Sequence, residues 1–89
     1  MSTRDDLLQQ LAALQPALCE LHDESHLHAG HAGAAGGGHY RLKIISVAFA
    51  GKSTIDRHRL VYRTVGTLMN GAVHALSITA LTPEEAARA

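Results

Sequence analysis

The 89-residue chain has a single cysteine, only three aromatic residues and no net charge when its histidines are neutral. The one cysteine, Cys19, excludes a disulfide within the chain. It also excludes a zinc site that this chain alone would build from four cysteines, or from two cysteines and two histidines. The balanced charge argues against a uniformly basic nucleic-acid-binding protein. Because aromatic residues are so few, we expect a core made of Leu, Ile, Val and Ala side chains.

Long hydrophobic runs are also missing from the sequence. No apolar run approaches the ~20 residues that a membrane-spanning helix needs, and no signal-peptide pattern is present. The hydrophobic fraction of 46% is ordinary for a folded domain, and the length allows one domain, over residues 1–89, with one modest core. We therefore expect a soluble, cytoplasmic protein that does not associate with membranes.

Apolar alternation predicts three strands, over residues 17–25, 40–47 and 72–81. The first two strands are joined only by a loop, so they should pair antiparallel. The third follows a helix and should lie parallel to one of them. This order predicts an α/β (α+β) fold, in which a three-stranded mixed sheet has its helices packed on one face.

Capping residues and apolar spacing predict three helical regions. The first begins at Ser2 or Thr3 and ends before Pro16. The second begins at Ser53 and the short final helix begins at Thr82, each behind a capping-box-like pattern. The middle region carries an apolar stripe at helical spacing: Ile55, Val61, Val65, Leu68 and Met69.

Residues 26–39 combine four of the seven histidines with five glycines, and we expect them to form a flexible loop. Another histidine, His74, begins the third strand. Neutral imidazole is a good ligand for zinc, iron or copper, but two imidazoles leave a metal site half built. An iron-sulfur cluster can carry two histidines on one iron and thiolates on the other. Because Cys19 is expected in the core, such thiolates would have to come from another molecule.

Three stretches in the second half of the chain occur in a characteristic order: Phe49-Ala50-Gly51-Lys52, Arg57-His58-Arg59-Leu60-Val61-Tyr62 and Val73-His74-Ala75-Leu76. They resemble the BolA family, small proteins with a KH-like fold of the second class. The resemblance covers roughly residues 3–85. It implies the element order αββ(αα)βα, with a helix-turn-helix-like element in the middle.

The resemblance also implies a partner and a cargo. BolA-like proteins form heterodimers with monothiol glutaredoxins and share a [2Fe-2S] cluster with them. The glutaredoxin contributes a cysteine and bound glutathione. The BolA-like partner contributes the histidine of Val-His-Ala-Leu and a His or Cys from the loop between the first two strands. The isolated chain is then expected to hold no tightly bound cofactor and to be a monomer or weak homodimer.

Matched by motif, His74 corresponds to the fixed cluster ligand of the family. The family-like pattern Asp-Glu-Ser-x-x-His assigns the loop ligand to His28, and His31, three residues later, is the alternative. The simpler interpretation of His74 is a structural or merely exposed histidine. We interpret His22, His26 and His39 as solvated or capping residues.

Residues 40–63 contain six basic residues and one acidic residue, a local excess of +5. Three of the basic residues lie in the predicted helix, where Arg59 and Arg63 share one face and Arg57 points nearly the opposite way, and Lys52 lies just before it. They could contact phosphates, which would make the protein a DNA-binding transcriptional regulator, a function also implied by the BolA resemblance. They could equally form a solvated helix face, or dock an acidic partner or glutathione.

Two further motif matches are interpreted as accidental. Gly30-His31-Ala32-Gly33 fits the Gly-x-x-Gly of KH domains but falls between strands instead of helices. Gly51-Lys52-Ser53 resembles the end of a P-loop whose first glycine is replaced by Ser46. No nucleophile and base lie in a recognisable arrangement, so we expect no enzymatic activity.

Overall fold

The structure, a computed structural model, describes residues 2–24 and 38–88. The helices and strands are, in order, α1 (Thr3–Leu11), β1 (Leu18–Asp23), β2 (Gly38–Ile45), α2 (Thr54–Val65), β3 (Val73–Leu81) and α3 (Pro83–Arg88). Within these described residues, three short 3₁₀ helices lie between them: Ala12–Leu14, Val47–Phe49 and Gly66–Asn70.

Strand β2 occupies the centre of a three-stranded sheet, antiparallel to β1 and parallel to β3. The parallel pairing requires a crossover, and α2 supplies it. Buried strand residues such as Leu21 and Leu42 face the helices. The exposed strand residues point to the opposite, open face: Glu20, Arg41, Lys43, Ser77 and Thr79. The predicted mixed sheet with helices on one face is confirmed.

The predicted helix starts are formed by side-chain caps. The hydroxyl oxygens of Ser2 and Ser53 each accept a hydrogen bond from the backbone N–H three residues on, at 3.1 Å. At α3, Glu85 accepts from the Thr82 N–H at 2.9 Å, and the Thr82 hydroxyl accepts from the Glu85 N–H at 3.2 Å. This reciprocal capping box satisfies two N–H groups that a helix start leaves unpaired.

The core corrects three expectations. Two of the three aromatic residues, Tyr40 and Phe49, are buried in it, so the expectation of a purely aliphatic core was wrong. Val47 was expected in a strand but lies in a 3₁₀ turn, 71% exposed, and that turn directs Phe49 inward instead. Ile55 is 63% exposed because it lies about 120° around α2 from the buried Val61. The buried core residues are Leu7, Leu11, Leu21, Tyr40, Leu42, Ile44, Phe49, Val61, Val65, Val73 and Leu76.

The middle region contains one α-helix followed by a 3₁₀ helix where the resemblance implied two α-helices. Helix α2 ends because Gly66 adopts a φ of +59°, a left-handed conformation that glycine tolerates far better than other residues. The five residues Gly66–Asn70 then form the 3₁₀ helix that leads into β3.

Strand β2 begins two residues earlier than predicted. Gly38 and His39, which were expected in the flexible loop, are paired strand residues. The Gly38 N–H donates to the carbonyl of Ala72 at 3.0 Å, and the His39 carbonyl accepts from the Glu24 N–H at 2.8 Å. This early start matters because it fixes His39 at the edge of the candidate site.

Candidate functional site

A β-bulge at the start of β3 sets the position of His74. Gly38 pairs with Val73, but the next residue of β2, His39, pairs with Ala75. His74 and Ala75 therefore share the space opposite one residue of β2. Val73 is buried, whereas His74 is exposed. Bulges re-aim side chains, and this one leaves the His74 imidazole outside the core.

The bulge brings His74 beside His39. Their ring centroids are 5.1 Å apart and the rings are tilted by 43°. From the sequence, His39 was interpreted as a solvated or capping residue, although the alternation of apolar residues in β2 indicated which face it occupies. Because Tyr40 and Leu42 face the core, alternation places His39 on the opposite face of β2, at the end where the parallel strand β3 also begins.

Both ends of the segment over residues 25–37 meet at this histidine pair. Its preceding residue, Glu24, bonds to the backbone of His39, and its following residue, Gly38, pairs with Val73 beside His74. The predicted loop ligands, His28 and His31, lie outside the described residues. Their assignment stays a prediction, and the chain enters and leaves their segment next to the two imidazoles.

The only thiol is far from the histidine pair. Cys19 pairs with Ile44, which is five residues along β2 from His39, or roughly 17 Å. It is half-buried instead of enclosed in the core as expected, and burial raises the pKa of the thiol. Cys19 is therefore neither a ready thiolate nor within reach of the imidazoles.

Residues 2–24 and 38–88 contain no cluster of three or more His, Cys, Asp or Glu side chains that could hold a metal ion. A metal or cluster at the histidine pair would thus take its remaining ligands from water, from the rest of the chain or from another molecule. Two accessible imidazoles fit the histidine side of a cluster of the kind that carries two histidines on one iron. The sulfur side is not provided by the described residues.

Arg57, one of the predicted phosphate-binding residues, is engaged inside the protein. Its guanidinium donates to both carboxylate oxygens of Glu85 at 2.6 and 3.1 Å, and to the backbone carbonyls of Ala80 at 3.1 Å and Lys52 at 2.9 Å. Hydrogen bonding by Arg57 lowers the pKa of the Glu85 carboxyl to about 2. These contacts fasten α2 to β3 and α3, and they occupy the guanidinium on this side.

The other three predicted basic residues, Lys52, Arg59 and Arg63, are exposed. Arg59 lies 3.7 Å from the carboxylate of Asp56, an exposed pair that constrains it little. Arg59 and Arg63, four residues apart, share one face of α2. Of the four predicted phosphate-binding residues, three are thus exposed, whereas Arg57 is bonded to other parts of the protein.

None of the described helices is long and apolar enough to span a bilayer.

The mixed sheet, its crossover helix and the exposed histidine at the β3 bulge define a BolA-type domain. The BolA domain of SufE1 from Arabidopsis thaliana superposes with a TM-score of 0.82 at 39% identity, covering 96% of this chain and 98% of that chain. The family model described as "BolA-like protein" matches residues 11–85. The chain belongs to this family.

Two curated relatives with different names are similar to this chain. SufE-like protein 1, chloroplastic/mitochondrial, from Arabidopsis thaliana is 44% identical over 81% of this chain, which spans 21% of that protein. The DNA-binding transcriptional regulator BolA of Escherichia coli strain K12 is 34% identical over 96% of this chain and 80% of its own length. The chain spans about half the length of several other curated relatives.

Proposed function

We propose that this protein is an iron-sulfur accessory protein that binds a monothiol glutaredoxin and shares or transfers a [2Fe-2S] cluster. The observation that carries the proposal is the exposed His74, re-aimed by the bulge to lie 5.1 Å from a second imidazole. Membership of the BolA-like family supports it, because the resemblance implies this cargo and this partner.

The donor set of the chain agrees with a cluster that is shared. Imidazoles are accessible at one corner of the sheet, whereas Cys19 is half-buried and roughly 17 Å from His39 along the strands. The partner would therefore provide a cysteine, and glutathione bound to the partner would provide the second sulfur. This chain would hold its histidines in place, while His28 or His31 could add a ligand from residues 25–37.

The test is reconstitution with a purified monothiol glutaredoxin, iron, sulfide and glutathione. The chain alone should stay colourless, and the mixture should give a heterodimer with visible absorbance. His74→Ala should abolish or change that spectrum. His22→Ala, which removes an exposed histidine from β1, is the matched control and should leave it unchanged. An unaltered spectrum with His74→Ala would remove the ligand assignment.

A second candidate is a DNA-binding regulator, favoured by the name of the Escherichia coli relative and by the exposed Lys52, Arg59 and Arg63. Binding to duplex DNA should then depend strongly on salt, and Arg59→Ala with Arg63→Ala should lower the salt slope by about 2. Replacing Arg41 and Lys43 by Ala removes the same charge from the open sheet face and serves as the control. Absence of binding at low salt would exclude this candidate.

A further inference from the structure

The histidine pair at the bulge is formed by this chain alone. We propose that His39 and His74 together form a two-imidazole site for a divalent ion of the late first-row transition metals, such as Ni²⁺, Cu²⁺ or Zn²⁺, in the isolated chain. Imidazole suits these ions, and the site would complete its coordination with water. The proposal goes beyond the shared cluster and does not depend on it.

The spacing of the rings matches such a site. With a metal–nitrogen distance of about 2.0–2.1 Å, each ring centre lies roughly 3 Å from the ion, and two rings in neighbouring tetrahedral positions lie about 5 Å apart. The ring centroids of His39 and His74 are separated by 5.1 Å. A metal could thus be bound with little movement of either strand.

The backbone that carries the two side chains is also held in place before a metal arrives. His39 belongs to the central strand, which is paired on both sides, and His74 sits in a bulge between the buried Val73 and the paired Ala75. Rigid placement lowers the entropic cost of binding. Because the histidines are distant in sequence and adjacent only in the folded sheet, the site exists in the native state alone.

This last property separates the site from the other histidines. His26, His28 and His31 are close in sequence, so they can bind a metal in the unfolded chain as well. A ligand raises the free energy of unfolding only through its preference for the native state. Metal bound at His39 and His74 should therefore raise Tm, whereas metal bound at the local histidines should raise it little.

The experiment is a titration of the full chain with NiCl₂ and ZnCl₂, followed by isothermal calorimetry and by thermal unfolding. We expect saturable binding with a rise in Tm, and both His39→Ala and His74→Ala should weaken that binding at least about tenfold and remove the Tm rise. A variant with His26, His28 and His31 replaced by Ala should keep both the binding and the rise in Tm. His58→Gln, on α2, is the matched control.

Two results would overturn the proposal. Ring centroids 5.1 Å apart also suit simple aromatic packing, and in that case the natural chain would show no rise in Tm with either metal. Alternatively, binding could persist in His39→Ala and vanish in the triple variant, which would assign the metal to residues 26–31. Failure of the glutaredoxin reconstitution, by contrast, would leave this site unaffected, since no partner takes part in the titration.

Discussion

Arg57 and the histidine pair lie near opposite ends of β3, and they differ in what their side chains contact. At Ala80, roughly 20 Å from His74 along the strand, Arg57 makes four hydrogen bonds within the protein and fastens three elements together. At the other end, His74 is exposed and lies against a second imidazole. The difference shows that Arg57 is committed to holding elements of the fold together, whereas the exposed His74 stays accessible to a ligand.

The largest expected effect comes from comparing one substitution at each site, because each should change a different measured property. His74→Ala should remove most of the cluster absorbance in the glutaredoxin complex and leave Tm nearly unchanged, because exposed positions away from special features change stability by within about 0.5 kcal/mol. Arg57→Ala should do the opposite, lowering Tm by several degrees while cluster absorbance survives below the new Tm. Absorbance titration and circular-dichroism melting of both variants measure this.

Glu84→Gln is the control for the Arg57 end, since Glu84 forms only an exposed pair with Arg88 at 3.7 Å. It should behave like the natural chain in both measurements. A cluster defect in Arg57→Ala at temperatures where the variant is folded would show that the two ends of β3 are not independent.

The next effect in size concerns the backbone beneath the histidine pair. A methyl group on Gly38 would lie 2.5 Å from the ring of the buried Tyr40, so Gly38→Ala must displace that ring. Overpacking of this kind costs about 1–3 kcal/mol, and the shift should also disturb His39. Urea unfolding measures the loss of stability. Gly71→Ala, where no atom of the described residues lies within 4 Å of the added methyl, should cost less.

A smaller effect is expected in the pH dependence of stability. The pKa of Glu85 falls from 4.5 to about 2 on folding, so its carboxylate stabilises the native state fully above pH 4.5, and that contribution is lost as the pH falls toward 2. In Glu85→Gln this loss should be absent. The gap in Tm between the natural chain and the variant should therefore be widest near pH 7 and narrow toward pH 2. A constant gap would contradict the lowered pKa.

The smallest change in stability is expected at the exposed helix face. Arg59→Ala and Arg63→Ala should each alter the free energy of unfolding by within about 0.5 kcal/mol, because neither side chain has a buried partner in the described residues. Thermal melts check this. A larger loss would assign these arginines a structural role like that of Arg57 and would weaken their use as phosphate contacts.

Patterns among residues close in sequence predicted the helices and strands well. Contacts between residues distant in sequence could not be predicted in this way. Ser53 and Thr82 mark helix starts because their capping partners lie three residues away in sequence. The contact between Arg57 and Glu85 spans 28 residues and depends on how α3 docks, which periodicity does not report.

The same limit applies to the candidate site. His74 was recognised through its motif, whereas alternation gave only the face on which His39 lies, and its contact with His74 depends on the register of two parallel strands. That register depends on burying Tyr40 and Val73 together, on two segments separated by the whole crossover. Sequence could therefore nominate a ligand but could not identify its neighbour.

The bulge between Val73 and Leu76 has one more consequence, for variation in length. A strand with one residue fewer there would pair regularly and present a single side chain opposite His39, where the natural strand presents two. Deletions and insertions at this point should therefore change the side chains that face a ligand or partner more than most point substitutions do. The number of residues between the buried Val73 and Leu76 therefore determines which side chains this surface presents.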